Sequence, residues 1–335
     1  MRLLLRFLFI VSFFCSCHGK NPDVSDIHVN MNTKRFEKDL FKLDSAQFES
    51  QLPKLLIDYP EFGINYLNTI LNADPKWNID TTKNYVIGFT SSYKLLYDTA
   101  EQIFSDFSKY EKEIKSGVQY LKYYFPKVQA PEKIITYVGP LDGYGDILSN
   151  DAFIIGLQHH LGAGASFYKS SWLNETYPNY ISRRFDPNTI SVNCMTNIIL
   201  DMFPEKFDEL TLANQMIEKG KRLYLLSKLL PEKEEYWLIG YSKEQLEDCY
   251  KNEPMVWNLF IQNNLLQTVN NNLIKNYIGE SPKTQELGES SPGNIGSFVG
   301  WQIVKKYMNK NEKLSLSDLM KINPDLILEK AKYKP

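Results

Sequence analysis

The first seventeen residues constrain this chain most, because they decide where it folds. Arg2 and Arg6 give a positive start, Phe7 to Phe14 is apolar apart from Ser12, and Ser16 places a small side chain before Cys17. Charge, short apolar core and small residue at the cut are the order of a secretory signal peptide. The apolar run is far shorter than the ~20 residues a helix needs to cross a bilayer, so it reads as a cleaved segment. A cysteine directly after such a cut is where a bacterial lipoprotein is acylated. Cys17, preceded by Ser16, fits that role better than Cys15, which follows Phe13 and Phe14. Phe14 and Cys15 stand where the lipoprotein motif usually has Leu and a small residue. An ordinary signal peptide on a soluble secreted protein is therefore the alternative. Diacylation at Cys17 also meets the rule that stable anchoring takes more than one acyl chain.

Taking Arg2 and Arg6 away from 38 basic residues leaves 36 against 40 acidic ones, a net charge of −4. There is no basic stripe, and nothing here attracts nucleic acid. With 43% apolar and 13% aromatic residues, the chain can bury a sizeable core. The remaining two thiols, Cys194 and Cys249, either pair in an oxidising compartment or are buried as small apolar side chains.

The organisation expected is a signal peptide at 1–16, a lipidated N-terminus and polar linker at 17–26, and a single domain at 27–335. Ile27, Val29 and Met31 alternate, which predicts a strand at a sheet edge. Phe48, Leu52, Leu55 and Leu56 recur at helical spacing, as do Phe62, Tyr66, Leu67 and Ile70. Ala100 to Tyr124 reads as one helix with Ile103, Phe107, Tyr110, Ile114, Val118, Leu121 and Tyr124 on one face. Lys133–Val138 and Ala152–Leu157 are β-branched and aromatic, and the Gly- and Asp-rich run PLDGYGD lies between them. These predict a strand pair with an extended loop. Helix signals follow: Ser242 with Gln245 fits a capping box, Asn323 before Pro324 fits an N-cap with Pro at the first helical position, and Ser315 starts a helix after the NKN stop at 309–311. The fold class is α+β, mostly helical, with a small central β-sheet.

Few residues are spaced for chemistry. A metallopeptidase needs two His one helical turn apart with a carboxylate. Here His18 adjoins the lipidated cysteine, His28 lies in the first predicted strand, and His159 and His160 are adjacent, so on a strand they face opposite ways. Gly293, Gly296 and Gly300 lack the Gly-Lys-Ser/Thr of a phosphate loop. Gly296 and Gly300, four apart at the start of an apolar helix, instead predict close helix packing, with Leu at 300 damaging and Ala much milder. No Gly-x-Ser-x-Gly elbow exists. Arg183 and Arg184 could hold an anion in a fork, but a solvated pair or a core salt bridge competes. Glu218 reads as a helix-surface acid. No cofactor is called for.

Several spaced blocks, in order, carry a resemblance: DVSDIHVNMNTKRFEKDLF at 23–41, DAFIIGLQHHLGAGASFY at 151–168, YPNYISRRFDPNTI at 177–190, MIEKGKRLYLLSKLLP at 216–231, the run from IGYSKEQLEDCY at 239, SPGNIGSFVGWQIVKKYM at 291–308, and the ending AKYKP. Together they resemble the gliding motility lipoprotein GldB family of the Bacteroidota. That resemblance implies an envelope lipoprotein, lipid-anchored to a membrane and facing the periplasm, needed for gliding and for the type IX secretion machinery. It implies other gliding and secretion envelope proteins as partners, and no known reaction. The family is also distantly similar to helical zinc peptidases, in which a downstream helix supplies a Glu ligand; Glu218 occupies a similar position. The paired His are missing from the upstream helix, CMTNIILDMFP, and one Glu cannot hold zinc at useful affinity. The expectation is a metal-free, peptidase-like scaffold that works by contacts. A glycan- or peptide-binding lipoprotein and a hydrolase with an unrecognised site are the rival readings.

Overall fold

The computed structural model describes residues 21–207 and 209–335. The signal peptide and Cys17 lie outside the described residues.

Four strands form one sheet in the order β1 (Asn32–Arg35), β2 (Lys133–Tyr137), β4 (Ala152–Gly156), β3 (Ile147–Leu148). β1 runs parallel to β2, β2 runs parallel to β4, and β3 returns antiparallel to β4. The predicted pair KIITYV and AFIIGL is therefore real, and its partners lie side by side with Lys133 opposite Ala152. Apart from Lys133 and Thr136, both strands are apolar without alternation because a core lies against each face of the sheet. Ile134, Phe153 and Ile155 enter the main core, while Ile135, Tyr137 and Ile154 enter a second core on the opposite face. β1 is at the edge, as anticipated, but its ladder starts at Asn32 and not at Ile27. Val29 is buried in the main core ahead of the ladder, so the alternation from Ile27 to Met31 reflects packing of an irregular segment.

The second core is built by the N-terminal helices α1 (Phe36–Leu40), α2 (Phe48–Asp58), α3 (Pro60–Asn65) and α4 (Ile79–Ser92), with a π-turn at Tyr66–Ile70. Phe36 is wrapped by Tyr59, Phe62 and Tyr66 at ring separations of 4.6–5.0 Å. The long helix predicted over Ala100–Tyr124 is two helices, α5 (Lys94–Ile103) and α6 (Ser108–Tyr124). Asp106 Oδ1 accepts the Ser108 N–H at 2.9 Å and opens α6, since a carboxylate satisfies an otherwise orphaned N–H there. Phe104 and Phe107 bury themselves in the break and keep the apolar period going across it.

Beyond the sheet come α7 (Ser171–Thr176), α8 (Asn179–Ser182), α9 (Ile190–Met202) and α10 (Leu212–Leu229). They are followed by α11 (Glu235–Ile239), α12 (Lys243–Lys251), α13 (Glu253–Gln262), α14 (Asn271–Ile278), α15 (Ile295–Lys310), α16 (Leu316–Lys321) and α17 (Pro324–Ala331). The capping signals read from sequence are present: the Ser242–Gln245 box, the Ser315 cap on Asp318 N–H, and the Asn323 cap with Pro324 next to it. Cys194 and Cys249 are buried free thiols.

The main core is organised by the crossing of α10 and α15. A Cβ on Gly300 would overlap the Met216 carbonyl, and one on Gly220 would overlap the Gly300 carbonyl. The two backbones touch, and only glycine permits that. Gly296 sits against Ile278 and Met216 on the same side. The packing predicted from Gly296 and Gly300 is found; because the obstacle at Gly300 is backbone and cannot move aside, alanine there is expected to be damaging too and not much milder than leucine. Lys221, with only 1% of its side chain exposed, donates to Glu218 Oε1 at 2.6 Å and to the Ile322 carbonyl at 2.5 Å, tying the C-terminal helices to α10.

Gly300→Ala is therefore expected to cost about 3 kcal/mol, the upper range for overpacking. Gly88→Ala, in α4 with open space around it, should instead stabilise by about 0.5–1 kcal/mol. Urea denaturation of both variants checks this; a Gly300→Ala protein as stable as wild type would refute the backbone contact.

Candidate functional site: a groove on the sheet and the buried network behind it

The exposed part of the second face of the sheet forms a groove of about 530 Å³. Its floor is Ile135, Ile147 and Ile154 from β2, β3 and β4, with Phe62 and Ile70 from the helical side. Its rim carries Lys34, Asp58, Glu61, Lys133, Tyr144 and Asp151. Some of the rim groups are held locally. Lys34 Nζ donates to the Asp58 carbonyl at 2.8 Å and lies 5.2 Å over the Tyr59 ring. Lys133 meets Asp151 at 2.9 Å, which holds the Asp151 carboxyl below its usual range. Tyr59 donates its hydroxyl to Asp39 at 2.8 Å; burial and that carboxylate keep the phenol protonated. An apolar floor with a ring of both charge signs suits a ligand that is itself amphipathic, with side chains to bury and a polar backbone to leave in water.

The loop Val138–Asn150 supplies one wall of this groove, and a buried polar network fixes it. The Asp146 side chain is 5% exposed. Its carboxylate accepts from His160 Nε2 at 2.9 and 3.0 Å, from Asn193 Nδ2 at 2.8 Å and from the Gly156 N–H at 3.1 Å. Its carbonyl accepts from Asn197 Nδ2 at 3.2 Å. His160 Nδ1 faces the Asp186 carbonyl at 3.1 Å. Both ring nitrogens thus face acceptors, so both carry a proton and the pair is imidazolium and carboxylate. Burial pushes the Asp146 carboxyl up, but His160 and the donated hydrogen bonds bring it below its ordinary value. For His160, burial pushes down and Asp146 more than offsets this, leaving it raised.

His159 diverges from its neighbour. Both follow β4, with His159 closing a 3₁₀ turn (Leu157–His159), so they are not on a strand as the sequence suggested. His159 Nε2 donates to the Leu141 carbonyl at 2.8 Å, and its ring stacks on Phe185 at 4.5 Å. Burial pushes its pKa down. His28 is exposed, and His18 lies outside the described residues. Asn193 and Asn197, one turn apart on α9, were missed by sequence reasoning; their four-residue spacing opposite a Gly- and Asp-rich loop was the available signal. Glu218 is not a free surface acid: its two oxygens meet Lys221 at 2.6 Å and Arg222 at 3.0 Å. Among the described residues no group of three or more His, Cys, Asp or Glu is placed to hold a metal ion. Arg183 donates to Gln245 Oε1 and the Gly240 carbonyl, and Arg184 pairs with Glu280, so they do not converge as an anion fork. Gly293 packs against the Ser281 carbonyl.

A match to the family described as gliding motility protein GldB spans residues 17–335. The chain belongs to the GldB family. No curated protein and no solved structure matches it. As a GldB family member it is a gliding motility lipoprotein, a membrane-anchored protein of the cell envelope. Among the described residues no helix is long and apolar enough to cross a membrane.

The network's ionisation has a signed consequence. The stabilisation from Asp146 is present above the ordinary carboxylate pKa and fades as pH falls through its lowered one. That from His160 is complete below its ordinary value, about 6.5, and fades as pH rises through its raised one. The stability lost in His160→Gln should thus be largest at mildly acidic pH and shrink toward alkaline pH. Asn193→Leu, which leaves the buried carboxylate one donor short, should cost about 1–3 kcal/mol. Denaturation curves across pH test both; a pH-independent His160→Gln penalty would rule out the ion pair.

Proposed function

We propose that this chain is an envelope lipoprotein, acylated on Cys17, that supports gliding and the type IX secretion machinery by protein–protein contact and not by catalysis. The groove on the sheet is the contact site. The observation that carries this reading is the groove's make-up: three isoleucines from three strands under a rim of mixed charge. Such a surface takes an amphipathic stretch of polypeptide, its apolar side chains on the floor and its charges opposite Lys34, Glu61 and Asp58. Neither buried histidine lines it, and both rings are engaged by carbonyls and a carboxylate. The family match begins at Cys17, which supports that residue as the point of anchorage.

Two experiments test the proposal. Cys17→Ala should move the protein from membranes to the soluble fraction and stop cells from spreading on agar, because the acyl chains attach there. Acyl groups found by mass spectrometry on Cys15, or on neither cysteine, would refute the assignment. At the groove, Glu61→Lys with Tyr144→Ala changes two exposed rim residues and should leave the melting temperature unchanged while gliding and secretion fall together. Normal gliding by that double variant would remove the groove from the account. Loss of gliding in a stable His160→Gln protein would point to chemistry in place of contact.

A further inference from the structure

The domain begins against α6. Val24 is buried, the Ile27 N–H closes a turn on the Val24 carbonyl at 3.0 Å, and Gln119 Nε2 donates to the Ile27 carbonyl at 2.9 Å. Six residues separate Cys17 from Val24. At full extension seven steps of about 3.5 Å reach no more than about 25 Å. A compact domain of this length has a radius of gyration of about 20 Å, so its diameter is about twice the tether. The side of the domain near Val24 is thus held close to the membrane that carries the lipid, and the far side cannot replace it.

That side is rich in tyrosine. Tyr120, Tyr123 and Tyr124 belong to the last turns of α6, and Tyr224 comes across from α10. The Tyr123 and Tyr124 rings meet edge-on at 5.1 Å. Tyr120, Tyr123 and Tyr224 all lie within electrostatic reach of the Tyr124 phenol, and Tyr120 lies within reach of Asp23, one residue before Val24. Tyr123 is 47% exposed and leads the cluster, while Tyr120, Tyr124 and Tyr224 are half-buried behind it, packed against the main core. Lys122 and Lys127 flank it in sequence, and Lys228 Nζ sits 5.1 Å over the Tyr224 ring. Asp23 and Glu232 are present too, so the patch has no strong net charge and its affinity comes from the rings. Tyrosine seats an apolar ring and a polar hydroxyl at the headgroup level of a bilayer, and lysine can lay its stem there with the ammonium in water.

We propose that the tyrosine cluster at the end of α6 rests in the headgroup layer of the anchoring membrane and so holds the domain in one orientation. This rests on acylation of Cys17. The test uses the full acylated chain in vesicles of phosphatidylethanolamine and phosphatidylglycerol. It carries a nitroxide at Tyr123→Cys or, as a control, at Val269→Cys, an exposed loop position; Cys194 and Cys249 are buried and stay unlabelled. Collisional access of a nickel chelate is read for protein that floats with the vesicles, against the unlipidated Cys17→Ala form in solution. Access at position 123 should fall several-fold on vesicles and stay unchanged at 269. Equal access at both positions in floated protein, whether high or low, overturns the orientation while leaving the anchor intact. Protein that does not float overturns the anchor and this inference together. Shielding of position 123 already present in solution assigns the patch to a second copy of the chain and overturns it as well.

Discussion

Where α10 crosses α15, no side chain stands between the two backbones. Gly220 and Gly300 place carbonyl against Cα, and Met216 presents its own carbonyl to Gly300. A contact this close brings the flanking side chains of both helices into one layer, and Phe298, Val299, Trp301 and Ile303 are all wholly buried there. Lys221, one residue beyond Gly220, can then reach the Ile322 carbonyl. The C-terminal helices hang on that bond and on the apolar contacts of Ile327 and Ala331. Any side chain at the crossing would push the helices apart and loosen the whole layer.

The sheet is constrained differently. β2 and β4 are parallel neighbours, yet the fourteen residues between them contain no helix, only a loop and the short β3. A helical crossover would bring its own hydrogen bonds and apolar face. This loop has few hydrogen bonds of its own, such as Gly143 N–H to the Pro140 carbonyl, and several of its polar groups are satisfied by other parts of the chain. Asp146 collects donors from His160, Gly156, Asn193 and Asn197, while Tyr137 and Gln158 donate to the Tyr144 and Gly145 carbonyls. A buried network of this kind is stable only when every member is paired. Its result is that Tyr144 and Ile147, both lining the groove, stand on a fixed wall.

These two devices divide the molecule. The glycine crossing and the lysine strap hold the main core, and the Asp146 network joins that core through α9 to the sheet. On the other face the N-terminal helices close over the sheet only in part, which leaves isoleucines of three strands as the groove floor. Membership of the GldB family places such a molecule at a membrane in the cell envelope. The groove proposed as a contact site lies on the open part of that sheet face.

Local features were legible in the sequence because their causes are local. The caps at Ser242, Ser315 and Asn323, the strand pair and the glycine spacing each depend on residues within a few positions of one another. The break between α5 and α6 was not legible, since Phe104 and Phe107 sustain the apolar period through it. Nor was the start of β1, because a ladder is decided by its partner strand. Gly220 went unremarked within a helix, as its reason lies on α15, eighty residues away. Glu218 looked like a surface acid until Lys221 and Arg222 closed around it. Sequence by itself determined the class of fold and the family. Only the tertiary structure decided which polar residues meet at Asp146, which backbones touch and which strand faces stay open, because those depend on distances between residues that the order of the chain keeps far apart.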